Sequence, residues 1–296
     1  MTTPRRNQVD LHTHTARSDG VLPPAALYAQ MRAWGSTLVA ITDHDTLAGA
    51  RELLAAGLGS PASDGPAVIV GVEINTSMDG TVRPLVETLG ETAELHILGL
   101  GVDPGDGIFE SLLERQRAGR NDRLEQTLAR LEGLGLPVRD RLPEVPGGID
   151  ALGRPHVARA LVSAGHAESV DDAFRRYLEP GRTAYVRRSG IGPRAAIEAI
   201  VAAGGIASLA HSPWAPQEVG VIDRLREWGL RAIEAFYPGW DEPTVAAVVV
   251  FAEDRGLLTT GGSDYHGDRG DYATAQATIR VPSEVGERLL AALAGA

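Results

Sequence analysis

Short apolar runs, separated by stretches with helical periodicity, organise this chain. The runs Gln8–His12, Thr37–Ile41, Ala67–Val72, Leu95–Gly99, Ile206–Ala210, Ala232–Phe236 and Leu257–Thr260, with a last one at Gln276–Val281, are rich in Val, Ile or Leu. Runs of this kind predict strands buried on both faces of a parallel sheet. Between them, Pro23–Trp34, Leu47–Ala56, Pro193–Ala203, Gly220–Trp228, Pro243–Arg255 and Ser283–Ala294 read as helices. Pro23, Pro24, Pro193 and Pro243 suit first-turn positions, where the missing N–H costs nothing. Strand–helix alternation with right-handed crossovers predicts an α/β barrel or an open α/β sheet.

Two stretches interrupt the rhythm. Asp79-Gly80 between extended arms Gly71–Thr76 and Thr81–Val86 predicts a hairpin, followed by a loop over Leu85–Glu94. From Gly105 to Arg182 there is no good strand. Ile108–Leu134 is one long helical pattern rich in Arg, Glu and Leu, and Gly148–Ala164 and Ser169–Leu178 follow as two more helices, with Leu136–Val145 as loop between them. Ser169 with Asp171 and Asp172 makes a capped acidic first turn. Residues 105–182 therefore read as an inserted helical subdomain, a substrate lid, leaving a barrel of residues 1–104 and 183–296 after its fourth strand.

Composition narrows the chemistry. The 296 residues include no cysteine, so disulfides and thiolate zinc sites are excluded and any metal must be held by His, Asp and Glu. The net charge of −11 argues against a sequence-independent grip on long duplex nucleic acid, which uses a basic face. Every basic residue is Arg, which a GC-rich genome produces. No N-terminal signal pattern and no span-length apolar run is present, so the expected location is the cytoplasm, off the membrane.

Polar residues then fall in a pattern. His12 and His14 lie two apart on the first strand, so both rings point to one side, and Asp19 follows in a turn with Ser18 and Gly20. Alone, His-x-His also describes a hydrogen-bonded pair half buried on a strand. The later strands decide: His44 follows the second, Glu73 ends the third, His96 sits in the fourth, His211 follows the fifth, and Asp264 and His266 follow the seventh. Six of the eight histidines thus occupy strand ends, which share one face of a parallel barrel. Buried carboxylates among imidazoles are costly unless paired, and divalent metal ions satisfy both. Nine candidate ligands suit two or three ions, with Glu73 and Asp264 as bridges, and oxygen plus imidazole suits Mn²⁺, Fe²⁺ or Zn²⁺. Asp43 and Asp45 flank His44 and are candidates to orient ligand imidazoles. Arg187 and Arg188 read as solvated surface, with phosphate contact as the alternative; Glu234 reads equally as a support, a substrate contact or a plain hydrogen-bonded carboxylate, and Trp240 as packing or a base-stacking surface.

Asp-Leu-His-Thr-His with Ser-Asp-Gly, Thr-Asp-His-Asp, Gly-Val-Glu, a histidine in the fourth strand, Ala-His-Ser and Ser-Asp-Tyr-His resemble, in this order, the motifs of the PHP (polymerase and histidinol phosphatase) superfamily. The resemblance is nearest to stand-alone metal-dependent phosphoesterases, including nucleoside 3′,5′-bisphosphate phosphatases and 5′→3′ exoribonucleases. It implies a distorted (β/α)7 barrel with a trinuclear site: His12, His14, Glu73 and Asp264 on one ion, Glu73, His96 and His211 on a second, Asp19, His44 and His266 on a third. It also implies that Arg154 and His156, in Gly153-Arg154-Pro155-His156, face the metals and contact substrate phosphate as catalytic residues. One departure is visible: Ala-His-Ser-Pro-Trp stands where Ala-His-Pro is commoner.

The expected reaction is hydrolysis of phosphate esters by attack of metal-activated hydroxide on phosphorus. The expected substrate is a small phosphorylated, nucleotide-like molecule, a nucleoside 3′,5′-bisphosphate or short RNA. Histidinol-phosphatase-like or secondary-metabolite phosphomonoesterase activity, and a non-catalytic metal-binding module, are the competing readings.

Overall fold

The computed structural model describes residues 8–60, 64–78, 83–90, 93–144, 152–267, 275 and 278–295. Seven strands form one sheet in chain order: β1 (Val9–Asp10), β2 (Leu38–Ile41), β3 (Ala67–Asn75), β4 (His96–Leu100), β5 (Ile206–Leu209), β6 (Ala232–Phe236) and β7 (Leu258–Gly261). The last strand meets the first. Leu11 N–H donates to Gly261 O at 3.0 Å, His14 N–H to Tyr265 O at 3.0 Å, and Thr13 bridges Tyr265 in parallel. The sheet is thereby nearly closed into a distorted barrel.

Helices α1 (Pro24–Ala33), α2 (Ala48–Ala55), α3 (Arg83–Leu89), α4 (Gly107–Gly133), α5 (Arg154–Ser163), α6 (Val170–Ala173), α7 (Pro193–Ala202), α8 (Val219–Glu227), α9 (Glu242–Asp254) and α10 (Ser283–Ala294) surround it. The strand side chains are apolar toward the helices because both sides of the sheet are covered: Ile74, Ile97, Leu209 and Ile233 pack with Ile197 and Ile200 of α7 in one buried cluster. Val9, Leu38, Leu98 and Ile206 pack in another with Val285 and Leu289 of α10.

One strand departs from the parallel expectation. β4 runs antiparallel to both β3 and β5, in the registers Asn75↔His96 and Ile97↔Leu209. A five-residue apolar run carries no sign of its direction, so the pattern showed the strand but not its sense. The expected hairpin arm Gly71–Thr76 is instead mostly the end of β3, which runs on to Asn75 because β4 pairs with it throughout. Residues 79–82 lie outside the described residues, and Arg83–Leu89 is helix rather than an extended arm and loop. The expected last strand also fails: residues 276 and 277 lie outside the described residues, and Ile279 N–H closes a turn on Ala275 O. Its apolar pattern has another cause, since Ile279 and Val281 pack beneath α10 in the second cluster.

Between β4 and β5, Asp106 caps the 27-residue α4 by accepting from the N–H groups of Ile108 and Phe109 at 2.8 and 3.0 Å. Its C-terminal half joins α5, α6 and the wide turn Phe174–Leu178 around Leu128, Leu131, Val157 and Leu161, an apolar cluster apart from the barrel's.

Candidate metal centre

At one rim the polar strand ends converge on Glu73. Its Oε2 lies 3.2 Å from His12 Nε2, 3.2 Å from His14 Nε2 and 3.1 Å from His44 Nδ1. Its Oε1 lies 2.7 Å from His96 Nδ1 and 3.4 Å from His211 Nε2. The reversal of β4 explains how His96 joins: it is the first residue of its strand, and the start of an antiparallel strand lies beside the ends of its neighbours. Asp264 Oδ1 stands 3.3 Å from His12 Nε2 and 3.1 Å from His14 Nε2, while Tyr237 O–H donates to its Oδ2 at 2.8 Å. Asp19 stands 3.1 Å from His266 Nε2 and 3.6 Å from His44 Nε2.

The nine side chains fall into three sets whose donor atoms lie within 4.8 Å of one another: His12, His14, Glu73 and Asp264; Glu73, His96 and His211; and His14, Asp19, His44 and His266. Both Glu73 and His14 belong to two sets.

The backbone is bent to make this rim. Asp45, His211 and Asp264 take φ values of 53°, 30° and 49°, the positive-φ non-glycine positions among the described residues. All three sit where a strand gives way to a rim loop, and such strain persists only where surroundings enforce it. Gly262 is needed for a different reason: a Cβ there would stand 2.4 Å from the His12 main-chain nitrogen, so β7 can pass beside β1 only without a side chain.

Burial and charge compete strongly. Burial alone would depress His12 and His14, but Asp264, Glu234 and Glu73 hold His12 well above its usual value, and the adjacent Asp264 and Glu73 carboxylates lift His14 to about 10. Burial would likewise raise Glu73, Asp19 and Asp264, yet the surrounding histidines hold all three below the carboxylate range. Burial dominates at His44, driving it down to about 3 despite Glu73 and Asp19. Protons alone leave the cluster incompletely satisfied: Nδ1 and Nε2 of His14, Oδ1 of Asp19 and Nδ1 of His44 are buried with no hydrogen-bond partner. Five imidazoles around one carboxylate cannot all direct protons at it, whereas cations between them accept every lone pair. The donor set fits divalent metal ions.

Supporting carboxylates surround the rim. Asp10 accepts from Ser263 N–H and Oγ–H at 2.8 and 2.6 Å, fastening β1 to the loop that carries Asp264; burial raises it to about 6. Neither Asp43 nor Asp45 hydrogen-bonds an imidazole. Asp43 accepts from Thr15 N–H, Thr15 Oγ–H and Ser18 Oγ–H, each at 2.7 Å, and so shapes the turn leading to Asp19. Asp45 pairs with Arg120 and with Arg188, the latter at 2.8 Å.

Beside these candidate ligands lies a cavity of about 130 Å³, lined by Asp19, His44, His96, Phe174 and four arginines, Arg120, Arg123, Arg154 and Arg188. Arg188 is therefore not solvated surface: it is buried, and its Nε has no hydrogen-bond partner. Arg123 and Arg154 share Glu94, at 2.9 and 3.1 Å. His156 is buried as well, and its Nδ1 accepts from Gly153 N–H at 3.2 Å. Sequence reasoning passed over Arg120, Arg123 and Glu94, and placed Arg188 first on the solvated surface. The available signal was the i, i+3 spacing of Arg120 and Arg123 on one face of α4. Trp240 packs against Tyr237 with ring centroids 5.6 Å apart.

A mixed barrel with such a rim defines a metal-dependent phosphoesterase, as comparison with known proteins shows. The PHP domain profile matches residues 10–128. The chain is 32% identical to a 5′-3′ exoribonuclease of Haemophilus influenzae, over 87% of this chain and 89% of that protein. It is 31% identical to a 3′,5′-nucleoside bisphosphate phosphatase of Chromobacterium violaceum, over 87% of each. A solved structure assigned as a metal-dependent phosphoesterase, from Bifidobacterium adolescentis, superposes with a TM-score of 0.75 at 27% identity, covering 98% of this chain and 97% of that one. The chain belongs to the PHP family, and it is a metal-dependent phosphoric ester hydrolase. Among the described residues no helix is long and apolar enough to cross a membrane.

Proposed function

We propose that the protein hydrolyses phosphate esters of nucleotide-like substrates, a nucleoside 3′,5′-bisphosphate or a short oligoribonucleotide. The observation that carries this reading is the shared cavity, in which Asp19, His44 and His96 of the metal rim face Arg120, Arg123, Arg154 and Arg188. Carboxylate–imidazole sets call for cations, and a neighbouring arginine cluster calls for a phosphate-bearing molecule rather than a neutral one. The names of the Haemophilus and Chromobacterium relatives support the nucleotide class.

In this reading His12, His14, Glu73 and Asp264 hold one ion, Glu73, His96 and His211 a second, and Asp19, His44 and His266 a third. The donor types suit Mn²⁺, Fe²⁺ or Zn²⁺. Such ions polarise phosphoryl oxygens and lower the pKa of water. The chain supplies the rest. Arg154 donates to a non-bridging oxygen or to a second phosphate. His156 keeps Nδ1 as acceptor for Gly153 N–H, which leaves its proton on Nε2 as a donor toward phosphate. Burial lowers His156 to about 4, so it acts as a neutral donor at pH 7. Residues 105–182 form a lid on the barrel of residues 1–104 and 183–296, and bring Arg120, Arg123 and Arg154 over the rim.

The test is phosphate release from adenosine 3′,5′-bisphosphate and nucleotide release from a short 5′-phosphorylated RNA, with Mn²⁺-loaded protein. Turnover of either supports the reading. Turnover of histidinol phosphate or other simple phosphomonoesters with none on any nucleotide would move the protein to the competing substrate class. A 30% identical relative from Eggerthella lenta, named for a cyclic phosphodiester of phosphoribose, adds that ester to the panel.

A further inference from the structure

Strand β6 contributes no side chain to the three donor sets, yet it places one carboxylate against two of them. Glu234 is fully buried. Its Oε1 and Oε2 lie 3.2 and 3.4 Å from His12 Nδ1, and Oε2 accepts the His211 main-chain N–H at 2.8 Å. His12 stands on the β1 side of the centre and His211 follows β5, so this single side chain spans the rim beneath the ligands. We propose that Glu234 is the positioning residue of the metal centre, fixing the tautomer of His12 and the strained main chain of His211 together.

A neutral imidazole carries one proton and one lone pair. The His12 Nδ1 lone pair would face a buried carboxylate if the proton sat on Nε2. With a cation held between His12 Nε2, Glu73 and Asp264, Nε2 presents its lone pair to that ion rather than a proton to the carboxylates 3.2 and 3.3 Å away, so the proton sits on Nδ1, facing Glu234. His211 holds φ at 30°, a conformation its side chain resists. A hydrogen bond from its own N–H to a charged, buried acceptor opposes relaxation. In that conformation His211 Nε2 reaches Glu73 Oε1 at 3.4 Å and His96 Nδ1 at 3.1 Å. Two donor sets therefore depend on one residue that ligates in neither.

The inference rests on the metal reading of the cluster but not on the substrate, so its test reads metal and not turnover. Wild-type protein and Glu234→Gln are stripped of metal, titrated with Zn²⁺ and followed by calorimetry. The expected result is affinity for the ions of the His12 and His211 sets lower by about 10–100-fold, the usual effect of losing such a support. The secondary structure of the metal-free variant should be unchanged. The control Asp19→Asn, in the third set, should leave those two affinities in place. Unaltered affinity for both ions in Glu234→Gln overturns the proposal, as does a variant that is only less stable when metal-free. A second measurement needs no variant. In Zn²⁺-loaded wild type labelled with ¹⁵N-histidine, His12 should carry its proton on Nδ1. A proton on Nε2 overturns the proposal even if Glu234→Gln does not fold. Failure of the wild type to bind any Zn²⁺ would instead count against the metal reading beneath it.

Discussion

Arg154, the first residue of α5, reaches Glu94 just ahead of β4, with Nη2 and Oε2 3.1 Å apart, and Arg123 of α4 takes the other oxygen of the same carboxylate at 2.9 Å. Burial pushes Glu94 up, but Arg154 and Arg123 outweigh it and hold it below its ordinary value. Glu94 thus joins two helices of the segment between β4 and β5 to the barrel, through two arginines that line the cavity beside the rim. Its two oxygens offset two like charges that stand side by side.

If Arg154 grips substrate phosphate, Arg154→Ala lowers kcat/KM by roughly 10–100-fold, the worth of one hydrogen bond to a charged group at ~1.5–3 kcal/mol. Metal content stays at the wild-type level, because no donor of the three sets is touched. Steady-state kinetics beside elemental analysis checks both halves. A loss of metal with the loss of rate would make Arg154 a structural residue.

Asp45 binds Arg120 and Arg188 in the interior, and its φ of 53° suits only residues that tolerate the left-handed region. Asn shares that tolerance, so Asp45→Asn isolates the charge. It leaves two buried guanidinium groups facing a neutral amide, and uncompensated buried charge costs about 3–5 kcal/mol. Urea unfolding should report a loss of that size. A loss under about 1 kcal/mol would mean that water or a bound anion already screens the arginines.

Six of the seven strands were legible to within two residues because buried strands are continuously apolar, while β3 runs three residues past its expected end at Val72. β6 at Ala232–Phe236 was read at both ends. The rim histidines were legible for a related reason, since a polar residue ending an apolar run stands out. Direction was not legible: nothing in His-Ile-Leu-Gly-Leu distinguishes a strand that ascends from one that descends. Nor was the pairing of buried arginines. Arg188 looks like surface in a sequence, and only the fold shows that Asp45, 143 positions earlier, waits for it. Asp43 misled for the same reason, since its neighbour in sequence is His44 but its hydrogen bonds go to Thr15 and Ser18.

The metal-free protein should lose stability as pH rises from neutral. His14 is lifted from 6.5 to about 10 and His12 is also raised, against the opposing effect of burial. Across that window the folded state keeps protons that the unfolded state has released, so each step upward in pH favours unfolding. The contribution is complete below about 6.5 and gone once the folded values are passed. Calorimetry in chelator should show Tm falling between pH 7 and about 9.5, and Mn²⁺ should flatten the decline by replacing the protons. The same exchange releases protons on metal binding at pH 7, which titration in two buffers of different ionisation enthalpy reads directly. A metal-free Tm that rises over this range would contradict the charge balance assigned to the rim.

The seam between β7 and β1 sets the position of His12, and Gly262 tests it. A Cβ at Gly262 would lie 2.4 Å from His12 N, 2.5 Å from its Cβ and 2.8 Å from its Cα. These are atoms fixed on the main chain at the barrel's closing edge, not the tip of a side chain that can swing away. Gly262→Ala must therefore push β7 from β1, stretch the Leu11–Gly261 hydrogen bond and carry His12 away from Glu73 and Asp264. Overpacking of this sort costs about 1–3 kcal/mol, and here the displacement also opens the first donor set. The comparison is Gly220→Ala in α8, where an added Cβ meets nothing within 4 Å and helix propensity gains about 0.5–1 kcal/mol. Unfolding curves and bound metal per chain should separate the two variants: Gly220→Ala more stable with full metal, Gly262→Ala less stable and short of metal. Full metal in Gly262→Ala would show that the donor set tolerates a shifted β1, and that the hydrogen bonds of Asp10 and Glu234, rather than the close passage of β7, hold His12 in place.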